Sequence, residues 1–129
     1  MTGPEGVFDR AQAAAVLAAA LTGPGTDSVL AGFAGLPGMV FHPPRAGGLL
    51  RRVEPARLEV GAWRFVGGAR LTAVHVVRGV ALKTEVVGPT EGGRLLADAV
   101  LDAARDHGPL AAEQLQSLLH GMAVVHGLR

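Results

Sequence analysis

The chain has 129 residues, which is enough for a single domain with a hydrophobic core of its own. Apolar residues make up 49% of it and charged residues 18%, and the formal net charge is +1. The absence of cysteine excludes disulfides, thiolate metal sites and a cysteine nucleophile, while the low charge content predicts an apolar surface that meets a second copy or another partner.

The N-terminal segment does not predict an export signal. The apolar stretch 13–21 follows a net negative region that contains Glu5 and Asp9, whereas a signal peptide begins with positive charge. The stretch is also shorter than the roughly 20 residues of a bilayer span. We therefore expect a cytoplasmic protein without membrane contact, a single domain over 1–129 whose residues 1–6 form a flexible tail. Arginine far outnumbers lysine, and alanine and glycine are abundant, which favours a high-GC bacterial source.

Two helices are predicted before the first strand. Asp9, followed three residues later by Gln12, is typical of a capping box at a helix N-terminus. The helix that follows, 10–21, is rich in alanine and can therefore pack closely against a neighbour. A second, short helix is expected from about Thr26 or Asp27 through Phe33.

Two short strands are predicted next, Met39 to His42 and Leu49 to Val53. Proline follows each of them, at Pro43-Pro44 and at Pro55. Since proline cannot donate to a β-ladder, both strands are expected at a sheet edge.

Residues 57–87 predict a three-stranded antiparallel meander with turns at Gly67-Gly68 and Arg78-Gly79. A two-residue turn at the first position pairs Arg64 with Leu71. The second turn places His75 opposite Leu82. One face then carries Arg64, Thr84 and a mostly apolar set: Leu58, Val60, Ala62, Val66, Leu71, Ala73, His75, Val77, Val80, Leu82 and Val86.

The opposite face of this predicted sheet is too apolar for a wet surface and too charged for a core. It is expected to hold the residues that we assign to a dimer interface: Trp63, Phe65, Arg70, Val74 and Val76. Tryptophan and arginine together are typical of interface centres. Two hypotheses stay open, a face covered by the chain's own N-terminal helices and a face shared with a second subunit.

The C-terminal third predicts a helical hairpin. Gly88-Pro89 ends the sheet, Thr90 is expected to cap a helix over 91–106, and Pro109 begins the last helix. The order of elements predicts an α+β fold: N-terminal helices, an antiparallel sheet of about four to five strands, and a hairpin packed on one sheet face.

Three residues are candidates for ligand binding. His75 is expected on the core face, either as a core histidine hydrogen-bonded to Thr84 or to a polar group of a helix, or, with Thr84 as a further ligand-binding residue, at the mouth of a pocket between the sheet and the C-terminal helices. His42 is a second candidate for the polar group of such a pocket. The ligand would be a small apolar molecule.

No catalytic residue, metal site or cofactor is predicted. His107, His120 and His126 lack the spacing that places two imidazoles on one helical face, and no nucleophile elbow surrounds a serine. Arginines cluster in the middle of the chain and could contact nucleic acid, but the signature of an RNA-binding sheet is absent. These residues are Arg45, Arg51, Arg52, Arg57, Arg64, Arg70 and Arg78.

The leading hypothesis is a noncatalytic, homodimeric α+β module that works through contact with a protein or a small ligand. The first alternative is a small enzyme or carrier with an apolar pocket at His75. Nucleic-acid binding through the arginine-rich sheet is a lesser alternative.

Overall fold

The computed structural model describes residues 8–23, 25–46 and 54–127. It confirms the predicted α+β fold, with N-terminal helices, a five-stranded antiparallel sheet and two C-terminal helices. In chain order the elements are α1 (Arg10–Thr22), α2 (Thr26–Ala31), β1 (Met39–His42), β2 (Arg57–Val60), β3 (Trp63–Val66), β4 (Leu71–Val77), β5 (Val80–Val87), α3 (Pro89–His107) and α4 (Pro109–Val125). The predicted tail 1–6 and the predicted strand Leu49 to Val53 lie outside the described residues.

Helix α1 begins with the predicted capping box. The Asp9 carboxylate accepts a hydrogen bond from the Gln12 backbone N–H at 2.8 Å, and the Gln12 side chain accepts one from the Asp9 N–H at 2.9 Å. These reciprocal bonds satisfy donors that the first helical turn leaves without a partner.

Helices α1 and α3 pack closely against each other and form part of the helical layer over the sheet. A Cβ added at Gly93 of α3 would lie 2.7 Å from the Ala14 carbonyl oxygen and 2.7 Å from the Ala18 backbone nitrogen. Alanine on one helix and glycine on the other therefore let the two backbones meet. Helix α4 packs against both α1 and α3, while α3 also contacts β2, β4 and β5.

The five strands follow chain order across the sheet, β1-β2-β3-β4-β5, with every neighbouring pair antiparallel. The predicted long strand over 57–66 is wrong, because the chain turns at Gly61-Ala62 and forms two strands. Gly61 adopts a φ of 56°, a left-handed conformation that glycine accepts without strain.

The connection between β3 and β4 is a loop over residues 67–70, longer than the predicted two-residue turn, and it changes the register of this pair. Arg64 faces Val74, whereas the sequence predicted Leu71. This shift of three residues is odd, and an odd shift moves every side chain of the strand to the opposite face. Trp63 and Phe65 therefore lie on the same face as Leu58 and Val60, which pair with Phe65 and Trp63 respectively.

The turn at Arg78-Gly79 is confirmed, with φ values of 53° and 80° and Val77 paired with Val80. A β-bulge between His75 and Val76 then adds one residue to β5, so His75 faces Lys83 instead of Leu82. The predicted face assignment of β5 beyond the bulge is wrong for this reason.

One face of the sheet forms the core together with the helices. Phe65 and Leu58 are fully buried there, as are Leu17 of α1, Leu30 of α2 and Leu96 of α3. Helix α3 begins one residue before the predicted cap Thr90, with Gly88 at the N-cap position and Pro89 as its first residue. The sheet thus has one face covered by helices and one face without them.

Candidate interaction surface

The open face of the sheet is the face that points away from the helices. Residues alternate between the two faces along a strand, so the register defines its members. They are Val40 and His42 of β1, Arg57 and Glu59 of β2, Arg64 and Val66 of β3, Thr72 and Val74 of β4, and Thr84 and Val86 of β5.

A charge cluster lies across β1, β2 and β3 on the open face. Oε2 of Glu59 lies 3.4 Å from His42 Nε2, 3.6 Å from Arg57 Nε and 3.9 Å from Arg64 Nε. The three nitrogens are shielded from solvent and make no hydrogen bond within the described residues. One carboxylate thus faces two guanidinium groups, and the cluster keeps a surplus of positive charge.

Apolar side chains occupy both sides of this cluster. Val40 is 52% exposed on β1, and Val86 is 58% exposed on β5. Val74, in the same row as Arg64, is 7% exposed although no helix covers it. Valines and paired charges on one flat surface are suited to contact with another macromolecule or a second copy.

Strand β5 is one of the two edge strands of the sheet. Every residue from Val80 to Val86 is exposed, including Leu82 at 61%. Lys83 and Glu85 lie on the helix side of the strand, with Lys83 Nζ 3.0 Å from Glu85 Oε1. No described residue pairs with the outer side of β5.

The five residues predicted for a dimer interface do not share one face. Trp63 and Phe65 lie on the covered face, where Phe65 is fully buried and Trp63 packs against the core. Val74 lies on the open face, and Arg70 is exposed in the loop between β3 and β4. The register between β3 and β4, which differs from the predicted one by three residues, separates the two groups. Val76 follows Val74 by two residues on the same strand, and its backbone N–H donates to the Ala62 carbonyl at 2.7 Å.

The three predicted ligand-binding residues are not brought together either. The His75 ring lies against Trp63 on the covered face, with ring centroids 4.9 Å apart. Thr84 faces Val74 on the open face, so the predicted hydrogen bond between His75 and Thr84 is wrong. His42 lies in the Glu59 cluster on β1.

Four surface cavities in the described part of the chain lie away from these residues. Three of them, of about 600, 520 and 480 Å³, lie among the helices. The fourth, of about 190 Å³, lies where β4 and β5 meet the end of α1, and Arg70 is one of its lining residues. His75, His42 and Thr84 line none of the four, and the pocket hypothesis stays a prediction.

The predicted arginine cluster is divided in space. Arg57 and Arg64 meet at Glu59, whereas Arg78 lies in the β4–β5 turn and Arg70 in the loop before β4. Arg45 lies beyond β1 in an isolated bridge with Glu54, and Arg51 and Arg52 lie outside the described residues. Nucleic-acid binding stays a prediction.

Within the described ranges, no three His, Asp or Glu side chains come close enough to hold a metal ion. None of the described helices is long and apolar enough to cross a bilayer.

Sequence reasoning missed Glu59 as the centre of the open-face cluster. The alternation Arg57-Leu58-Glu59-Val60 places both charges on one face, and this signal was available. The contribution of Arg64 could not be found in the same way, because it depends on the turn at Gly61-Ala62.

A family model for a domain of unknown function, DUF5073, matches residues 5–124 of the chain. No curated protein and no solved structure matches it significantly.

Proposed function

We propose that this chain, which belongs to the DUF5073 family, is a noncatalytic module that acts as a homodimer and through contact with a protein or a small ligand. The observation that supports this function is the uncovered part of the sheet. Helices cover one face only, and the described open face and β5 edge expose Val40, Leu82 and Val86 by more than half.

The energetics of these side chains favour an occupied surface. Full burial of an exposed valine or leucine side chain contributes roughly 1.5–3 kcal/mol, and a partner that covers Leu82 and Val86 on β5, or Val40 on the opposite edge, would gain part of this. The exposed valines of the open face do not contribute to the core between the sheet and the helices. The open face therefore has the composition of a contact surface.

The polar groups of the open face support binding in preference to catalysis. His42, Arg57 and Arg64 all direct a nitrogen toward Glu59, so the titratable groups of the face are directed at one another. A mixed cluster of this kind gives a contact its register and selectivity more than its affinity.

The mass of the purified protein in solution tests the proposal. Multi-angle light scattering at tens of micromolar is expected to give twice the 13.2 kDa of the chain. The Val86→Asp variant is expected to shift the equilibrium toward monomer, because a carboxylate at this position would have to be desolvated on association.

Val124→Asp is the matched control, since Val124 is 78% exposed on α4, away from the sheet. It is expected to leave the mass unchanged. A monomeric wild-type protein over the whole concentration range would overturn the proposal, and so would equal effects of the two variants.

A further inference from the structure

Strand β5 is a long sheet edge that carries only part of the usual protection. Natural sheets protect their edges with short strands, proline, bulges, or charges directed into the sheet, and of these β5 has the bulge at Leu82 and the Lys83 and Glu85 side chains on the helix side. The opposite edge follows this rule, because β1 has four residues and Pro43-Pro44 comes directly after it. Strand β5 has eight residues without proline, and its outer side is unpaired within the described chain.

The backbone groups that β5 offers to a partner follow from the alternation of the ladder. The Val76 N–H donates to the Ala62 carbonyl, so the peptide groups of Val76 and Val74 point toward β3. Those of Ala73 and His75 then point toward β5 and bond to Glu85 and Lys83. Thr84, between these two, therefore directs its N–H and C=O to the free edge, as does Val86.

We propose that the homodimer forms by antiparallel pairing of β5 with β5 of a second copy. The two-fold axis of the dimer passes through the pair at Thr84. This inference rests on the proposed function. Thr84 then faces Thr84 of the partner subunit. Lys83 faces the partner's Glu85, and the symmetry makes this pair twice.

The charges of β5 select this register. Outward-pointing residues must meet outward-pointing residues, so the neighbouring symmetric registers differ by one residue in the position of the axis. An axis at residue 83 places Lys83 opposite the partner's Lys83, and an axis at residue 85 places Glu85 opposite the partner's Glu85. Like charges directly opposite each other are destabilising, whereas opposite charges stabilise a strand pair.

The ion pair between Lys83 and Glu85 of the same chain adds to the charge pairs between the two subunits. Lys83 Nζ already lies 3.0 Å from Glu85 Oε1. In the paired edge each ammonium lies between its own carboxylate and the partner's carboxylate, which gives a closed ring of four alternating charges.

Pairing at this edge joins two five-stranded sheets into one sheet of ten strands. Residues opposite each other across an antiparallel pair point to the same face. Both open faces therefore lie on one side of the dimer, with both Glu59 clusters, and all helices lie on the other side.

Charge reversal tests the register. Lys83→Glu places carboxylates opposite carboxylates in both pairs, and Glu85→Lys does the same with ammonium groups. Each variant alone is expected to raise the dimer dissociation constant by about tenfold, from two reversed cross-strand pairs. An equimolar mixture is expected to form heterodimers with wild-type affinity, because one chain then carries two carboxylates and the other two ammonium groups.

The control for net charge is Glu113→Lys, at an exposed position of α4, which is expected to leave the dissociation constant unchanged. Sedimentation velocity over a concentration series measures all of these constants. Circular dichroism confirms that each variant is folded.

A cysteine placed at the axis gives a second readout. The natural chain contains no cysteine, and residues in a hydrogen-bonded antiparallel pair have Cα atoms about 5.5 Å apart, within reach of a disulfide. Thr84→Cys is expected to give a covalent dimer on mild oxidation. Val40→Cys, on the edge strand β1, is the control and is expected to remain uncrosslinked.

The outcomes separate the two proposals. A monomeric wild-type protein would overturn both. A wild-type dimer whose affinity is unaffected by Lys83→Glu and Glu85→Lys would overturn the β5 pairing alone, since in a dimer stacked through the open faces these two residues point away from the contact.

Discussion

Asp27, in the first turn of α2, accepts a hydrogen bond from the Gly68 backbone N–H at 2.9 Å. This hydrogen bond connects α2 to the loop between β3 and β4. A Cβ at the preceding residue, Gly67, would overlap the Asp27 carboxylate, so a side chain there would displace Asp27 from its hydrogen bond with Gly68. The loop in turn fixes the register in which β3 meets β4.

Gly67→Ala is therefore expected to lower the free energy of unfolding by about 1–3 kcal/mol, the usual cost of forcing an extra methyl group into a packed site. Asp27→Ala alone is expected to cost about 1 kcal/mol through the lost hydrogen bond. In the Asp27→Ala background the cost of Gly67→Ala should fall sharply, because the overlapping carboxylate is gone. Urea denaturation of the four proteins gives this coupling, and strictly additive effects would contradict the contact.

Gly93→Ala is expected to destabilise the protein by about 1–3 kcal/mol, since the new methyl group would press on the backbone of α1 at Ala14 and Ala18. Gly121, inside α4, has nothing within 4 Å of an added Cβ and is the matched control. Gly121→Ala should stabilise the protein by up to about 1 kcal/mol through helix propensity. A stabilising Gly93→Ala would show that α1 and α3 are farther apart than described.

Trp63→Ala is expected to lower stability by about 1–3 kcal/mol and to leave the oligomeric state unchanged. Trp63 is only partly buried, and it packs on the covered face against His75 and Phe65, so its loss affects the core of one chain. Thermal melts and light scattering on the same samples measure both effects. Dissociation of a dimer by this variant would restore the original interface hypothesis and contradict the register.

The ion pair between Glu91 and Arg94 is expected to make the stability of the protein depend on pH. The hydrogen bond from Arg94 lowers the pKa of Glu91 below its ordinary value, and the charge of Lys83 adds to the effect. A lowered carboxylate pKa stabilises the fold at pH values above the unfolded-state pKa and loses this contribution as the pH falls through the folded-state pKa. Because the group is exposed, the effect is small and weakened by salt.

Glu91→Gln is accordingly expected to lower the melting temperature near neutral pH and low salt, with the difference from wild type shrinking toward about pH 3. Glu113→Gln, at an exposed position of α4, is the control and should show no such trend. A difference for Glu91→Gln that is equal at both pH values would argue against an ion pair with Arg94.

Local signals in the sequence predicted the helices well. The Asp9 and Gln12 capping box, the glycines and the prolines act within a few residues, and such short-range hydrogen bonding and steric limits are present in any context. The Arg78-Gly79 turn was predictable for the same reason. These signals also gave the order of the elements and thus the α+β class.

The sheet register was not predictable in this way. The chain reverses both at Gly61-Ala62 and at residues 67–70, and the lengths of these two connections together decide which face Trp63 occupies. Gly68 in the loop between β3 and β4 is held by Asp27, 41 residues earlier in the chain, a contact that exists only after α2 has docked. The bulge at Leu82 likewise follows from the fit of β5 to β4.

The sequence by itself determined the elements of this protein, their order and its surplus of apolar residues. Only the tertiary structure decided which sheet face the helices leave open. It moved Trp63 and Phe65 to the covered face and left Glu59, Val86 and the β5 edge outside. The physical reason is that side chains alternate along a strand, so a register set by distant contacts decides which of two nearly equally apolar faces the helices cover.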